Sequence, residues 1–293
     1  MNKTKLVNCF LSGRRKSISK YENQTEELQS KVLQKLIRQT IHTEWGQTHG
    51  FAQVNDYNSF TKTSPINTYE ELKGYIDRMR RGEKDVLWSG KVRWYAKSSG
   101  TTNDKSNLFR SVRMPARYTL PWRNGCRSLY LGQNPRSRMF DGKALILGGS
   151  HSPNYNLPHS LVGDLSAILI ENVSPFVNHF RIPSKEIALL GDFEEKREKI
   201  ARAAIRENVT NLSGVPSWML SVLTRVMDIS GKTHLEDVWP GIEVFFHGGV
   251  SFTPYREQYR QLITQPGMHY MEPTMPARDS SDCKRIYRTV PCS

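Results

Sequence analysis

The segment Tyr95–Ser106, YAKSSGTTNDKS, gathers a glycine, serines, threonines and lysines directly after an apolar stretch. That combination suits a polyphosphate. Glycine lets backbone N–H groups approach phosphate oxygens, hydroxyls donate further bonds, and Lys105 neutralises charge. The spacing is not that of a Walker loop, G-x-x-x-x-G-K-[ST]. Read alone, the cluster is also at home as a polar turn between strands. His151 and His247 are the other residues that could do acid–base chemistry. A histidine with no carboxylate partner visible in the sequence is more often structural.

The elements around these residues follow from periodicity. Leu28, Val32, Leu33, Leu36, Ile37 and Ile41 recur at helical spacing and predict an amphipathic helix. Thr68 and Glu71 have capping-box spacing, so a second helix starts at Thr68 and stops near Gly82. Val92–Ala96 reads as a strand leading into the Ser/Thr/Gly cluster, Lys143–Leu147 as a buried strand ending at Gly148 and Gly149, and Ala167–Ile170 as another. Phe193–Asn208 reads as a charged amphipathic helix. Pro216 favours the first turn of the next, which carries Trp218, Met219, Val222, Leu223, Val226 and Met227. Ile242–Phe246 is a strand ending at Gly248 and Gly249. Strands alternating with helices of this length predict an α/β fold with a mainly parallel sheet and flanking helices.

The chain of 293 residues is 37% apolar, enough for a sizeable core. The longest apolar runs fall far short of the roughly 20 residues that span a bilayer, and Met1–Gly13 lacks a signal-peptide core. The expectation is a soluble, cytoplasmic protein. A net charge of +14 ordinarily points to nucleic acid or an acidic membrane. Its distribution argues against both partners. Asn107–Arg127 holds five arginines and no acid, and Pro273–Ser293 has four basic residues against two acidic ones, so these two stretches supply half of the charge. They also hold Cys126, Cys283 and Cys292, without metal-ligand spacing or a disulfide framework.

The order of VLWSGKVRWYAKSSGTT, ALILGGSHSPN, GDLSAILIEN, NVTNLSGVPSWML, VFFHGG and MHYME resembles the bacterial branch of the auxin-responsive GH-three family of acyl-acid amido synthetases, across Val32–Glu272. The resemblance implies the acyl-adenylate-forming superfamily: ATP and Mg²⁺ activate a small carboxylic acid as its acyl-AMP, and the acyl group passes to an amine or amino acid. It implies that Ser98, Ser99, Gly100, Thr101, Thr102 and Lys105 hold the ATP phosphates. Asn103 and Asp104 depart from the usual loop. Gly248 and Gly249 would lie beside the nucleotide, or simply cap their strand, and Val215, Pro216, Trp218 and Met219 would line the acyl pocket, or belong to the core.

Relatives continue past MHYME approximately as TYNASEGFFG, whose tyrosine stacks on adenine and whose glutamate helps hold Mg²⁺. This chain reads PTMPARDSSDCKRIYRTVPCS instead. One base restored ahead of Pro273 regroups a permitted set of codons into TYNASEGFFGLQKDLSDGALL. Freedom is limited, because the middle base of each restored codon is the first base of a printed one. One base restored ahead of NLFRSV turns it into KFIPV, and TLPWRNGCRS regrouped from its second base gives HYRGGMAAV, both family-like; the offsets differ, so a second single-base loss lies between them and a third near Ser128 returns the phase. Residues 1–272 are therefore expected to be a truncated N-terminal adenylation domain, with 107–127 and the tail 273–293 read out of frame and the C-terminal domain absent. A divergent surface insertion with a natural tail is the alternative. On this reading no catalytic residue or metal ligand is retained and the printed chain is inactive. The other readings are a non-catalytic nucleotide-binding remnant and a basic nucleic-acid-binding module.

Overall fold

The computed structural model describes residues 3–97, 108–111, 116–173 and 175–272. Eight strands occur among them: β1 (Trp94–Lys97), β2 (Leu108–Ser111), β3 (Lys143–Ile146), β4 (Leu161–Asp164), β5 (Arg181–Ile182), β6 (Val209–Gly214), β7 (Val244–His247) and β8 (His269–Met271). The chain divides into two compact units. The larger comprises Met1–Ile18, Ala116–Ser150 and Leu169–Ser293, the smaller Ser19–Pro115 and His151–Ile168.

In the smaller unit β1 is the centre of a three-stranded sheet, antiparallel to β2 and parallel to β4. The helix Tyr69–Arg80 begins as predicted. The Thr68 hydroxyl accepts from the Glu71 N–H, while the Glu71 carboxylate accepts from the Thr68 N–H at 2.6 Å. Its Ile76 and Met79 pack with Val86, Val92, Tyr95 and Val162. The helix Thr25–Thr40 buries a narrower stripe than its pattern predicts. Leu33, Ile37 and Ile41 pack around Phe51 and Val54, but Val32 and Leu36 face outward.

In the larger unit five strands pair in the order β5-β3-β6-β7-β8, all parallel. Ile182, Leu145, Leu212, Phe245 and Tyr270 stand opposite one another across the whole sheet. The first four are buried in one core, against the helices Phe193–Ile205 and Pro216–Ser230. Pro216 occupies the first turn of its helix, where a missing N–H costs nothing. Met219, Val222, Leu223 and Val226 form the buried stripe. This α/β architecture with parallel strands and flanking helices is the predicted fold class.

Two elements differ from expectation. Ala167–Ile170 is part of the helix Leu165–Glu171, not a strand. Ala167, Ile168 and Ile170 are all buried, and a short, wholly apolar run carries no period to separate the two states. The helix Lys3–Asn23 was not predicted. Its Leu11 and Val7 pack beside Tyr130 and Leu131, and Thr4 bonds to Asp141. The segment predicted to be out of frame contributes β2 and the start of the helix Ala116–Gln133, while the tail 273–293 lies outside the described residues. No helix among the described residues is long and apolar enough to cross a membrane.

Trp239 ties this core together. It is fully buried, and its indole N–H donates to the Ala204 carbonyl at 3.1 Å. Truncating a buried tryptophan removes both area and a filled volume, so Trp239→Ala is expected to lower unfolding free energy by about 3–5 kcal/mol. Urea denaturation followed by circular dichroism measures it. A loss below about 1 kcal/mol would contradict this packing.

Candidate functional site

In chain order the five-stranded sheet starts at β3, goes out to β5 on one side, then crosses to β6 on the other and continues to β7 and β8. Such reversal creates a crevice at the carboxyl ends of the two strands where the direction changes, the usual place for ligands in open α/β sheets. Here that point lies between β3 and β6. Its walls are the turn Leu147–Ser150 and the turn at Val215 and Pro216, with Gly248 and Gly249 following the neighbouring β7.

The strand ends approach closely because Gly214 has no side chain. A Cβ there would stand 3.0 Å from the Leu147 Cβ. Gly249 has φ +90°, and a Cβ on it would come within 3.3 Å of Val215. Glycine is thus required there both by backbone conformation and by contact with the next turn. Behind the first turn sits Lys196, a buried lysine on the helix Phe193–Ile205. Its ammonium donates to the carbonyls of Gly148 at 2.8 Å and Gly149 at 3.2 Å, and to the Ser150 hydroxyl at 3.4 Å. Behind the second turn, the Tyr259 hydroxyl donates to the Pro216 carbonyl at 2.8 Å.

His247 closes β7. It is buried, and its ring stacks on Phe252 at 4.2 Å. Burial, with the charge of Arg256 adding to it, pushes its pKa down to about 4. It is neutral at physiological pH and cannot serve there as a stored acid. His151 belongs to the smaller unit, where it stacks on Trp94 at 5.7 Å. Among the described residues no group of three or more histidines, cysteines or carboxylates could hold a metal ion.

The sequence model of the GH3 family N-terminal domain matches residues 14–157 and 140–268. The chain belongs to the GH3 family. Indole-3-acetic acid-amido synthetase GH3.6 of Arabidopsis thaliana is 27% identical over 88 residues, 30% of this chain and 14% of that protein. Jasmonoyl-L-amino acid synthetase JAR6 of Nicotiana attenuata is 32% identical over 94 residues, 31% of this chain and 16% of that one. Among solved structures, AtGH3.15 acyl acid amido synthetase in complex with 2,4-DB superposes with a TM-score of 0.70 at 16% identity, over 88% of this chain and 55% of that chain. This chain therefore spans about half the length of that GH3 structure.

Within the GH3 fold the residues singled out from sequence separate. Ser98, Ser99, Gly100, Thr101, Thr102 and Lys105 lie outside the described residues, and only Lys97, at the end of β1, is placed. Val215 and Gly249 meet at the strand ends, while Gly248 has nothing within 4 Å of where a Cβ would be. Pro216 is buried beneath them. Met219 is fully buried in the core, whereas Trp218 is 43% exposed and packs on Phe193, with ring centroids 6.2 Å apart. The four acyl-pocket candidates do not form one wall. Lys196 and Phe193 were missed. Lys196 was legible as a cation four and eight residues before Ile200 and Ala204, on the buried stripe of its helix.

Two outcomes follow from this geometry. Replacing Lys196 by Met removes the donor to the Gly148 and Gly149 carbonyls, with an expected cost of about 1–3 kcal/mol. Chemical denaturation checks it, and Lys196→Arg should recover part of the loss. For His247, the folded pKa lies below the unfolded value of about 6.5. Its neutral form contributes fully above pH 6.5, and stability falls from there towards pH 4, as the unfolded chain alone takes up the proton. His247→Phe keeps a ring against Phe252 and should flatten that part of the stability profile. Equal slopes for the two proteins between pH 6.5 and 4.5 would remove His247 as the cause.

Proposed function

We propose that this chain is the N-terminal, nucleotide-binding part of an ATP-dependent acyl acid amido synthetase. The observation that carries this reading is the GH3 match over residues 14–268, in a chain whose parallel strands end side by side at a glycine-lined switch point. In the reaction, a carboxylate oxygen attacks the α-phosphorus of ATP and pyrophosphate leaves. An amine nitrogen then attacks the acyl carbon, forming the amide and releasing AMP. The first step is chiefly a matter of positioning and of spreading negative charge. Ser98, Ser99, Gly100, Thr101, Thr102 and Lys105 would hold the phosphates, and Val215, Pro216 and Trp218 would border the acid. Mg²⁺, when bound, neutralises phosphate charge. The substrates are a small carboxylic acid and an amine or amino acid, as the names of the auxin and jasmonate synthetases indicate for those relatives.

The reading includes a broken frame. What supports it is that residues 107–127 and 273–293 carry half of the net charge and three of the four cysteines, and that both stretches can be regrouped into family-like sequence by restoring single bases. Under this reading the chain as printed does not complete the adenine, Mg²⁺ and ribose contacts. It is therefore expected to give no ATP–pyrophosphate exchange with any acid in a broad panel, whereas the gene with its frame restored and extended should give acid-dependent exchange. Exchange by the printed chain would overturn its inactivity. An intact frame in the nucleotide sequence across codons 105–130 and 270–275 would overturn the frame argument.

A further inference from the structure

Half of the net charge lies in 107–127 and 273–293, and on that ground the sequence argued against an acidic membrane as partner. The other half is not spread over the chain. Met1–Tyr21 holds Lys3, Lys5, Arg14, Arg15, Lys16 and Lys20 and no acid, whereas outside these three stretches 27 basic side chains stand against 26 acidic ones. The remaining positive charge is almost entirely that of one helix, Lys3–Asn23.

One face of this helix is built into the larger unit. The Thr4 hydroxyl donates to Asp141 at 3.1 Å, Leu11 is buried with Tyr130, Leu131 and Met139, and the Leu11 carbonyl accepts from the Ser128 hydroxyl at 2.9 Å. Arg15 donates to the Asn8 side chain at 2.7 Å and to the Ser128 carbonyl at 3.1 Å. The outward face is apolar along its centre. Leu6 and Phe10, four residues apart and therefore neighbours on the helix surface, are 59% and 86% exposed. Lys3 begins this strip, and Lys5 and Lys16, both exposed, run beside it.

The pairing of chemistries selects the partner. Nucleic acid would use the lysines and leave Leu6 and Phe10 in water. An apolar protein groove would take Leu6 and Phe10 and gain nothing from the flanking cations. An anionic lipid surface satisfies both: the apolar side chains enter the boundary between headgroups and acyl chains, while lysine stems lie along it with their ammonium groups among the headgroups. Asp141, the acid beneath the helix, does not oppose this field, because it is paired with Arg138 at 3.0 Å.

We propose that the outward face of the helix Lys3–Asn23 is a docking surface for an anionic lipid membrane, with the helix lying in the membrane plane and Leu6 and Phe10 inserted. The contacts of Thr4, Leu11 and Arg15 hold that face in place before the membrane is met. Two inserted side chains and a few lysines give shallow, reversible binding that salt weakens. The inference is independent of the nucleotide-binding reading.

The test is flotation of the chain on density gradients with vesicles of phosphatidylcholine, alone or with about one-third phosphatidylserine, at about 0.05 and 0.5 M salt. Flotation is expected with the anionic vesicles at low salt only. Lys3→Gln and Lys16→Gln should each weaken it about fivefold. Leu6→Ser combined with Phe10→Ser should weaken it about tenfold or more. Should the serine pair fold poorly, the lysine variants carry the comparison. No flotation with anionic vesicles, equal flotation with neutral ones, or unchanged flotation of either set of variants overturns the proposal. Self-association that the serine pair abolishes, without flotation, overturns it too and assigns this face to a second copy of the chain.

Discussion

The register of the parallel sheet is the constraint on which the larger unit depends. Leu145, Leu212 and Phe245 are aligned across β3, β6 and β7 and are fully buried, with Ile182 continuing the row on β5. Side chains alternate across a strand, so a slip of one residue would turn each of these to the other face. Here it would put Asn211 or Ser213 in place of Leu212. The same alignment fixes where strands stop. Ile146, Ser213 and Phe246 are opposite one another, and the chain leaves each strand within a residue or two beyond. The glycine-rich turns form one edge because the core fixes the ladder beneath them.

Elements with a marked period or a cap were legible in the sequence. The capping box at Thr68, the proline-led helix at Pro216 and the glycine ends of β3 and β7 each follow from a local physical rule. Ala167–Ile170 failed because burial on all sides erases the period that separates helix from strand. Val32 and Leu36 failed because a helical repeat shows which residues share a side of the helix, not how much of that side a neighbour covers. The site was less legible. Its shape depends on strand order, and the order β5-β3-β6-β7-β8 requires tertiary pairing that local sequence does not encode.

Buried polar groups at this edge act as supports. Lys196 holds the turn after β3 by its carbonyls, and the Tyr259 hydroxyl holds the first turn of the helix after β6. Both are far from the sequence they support, 46 to 48 residues for Lys196 and 43 for Tyr259. His247 contributes a neutral ring, and protonating it would place an unpaired charge in an aromatic cluster of Phe245, Phe252 and Tyr259. The cost of that charge is the physical cause of its low pKa.

Lys196 shows how a charge can serve as a structural support in this edge. Lys196 is buried, so removal from water has to be offset by strong local dipoles, and the Gly148 and Gly149 carbonyls provide them. Its field is thereby directed at the turn it supports. The charge of Lys196 is thus used to build the edge of the sheet, and its burial is tolerated because the turn presents its carbonyls to it.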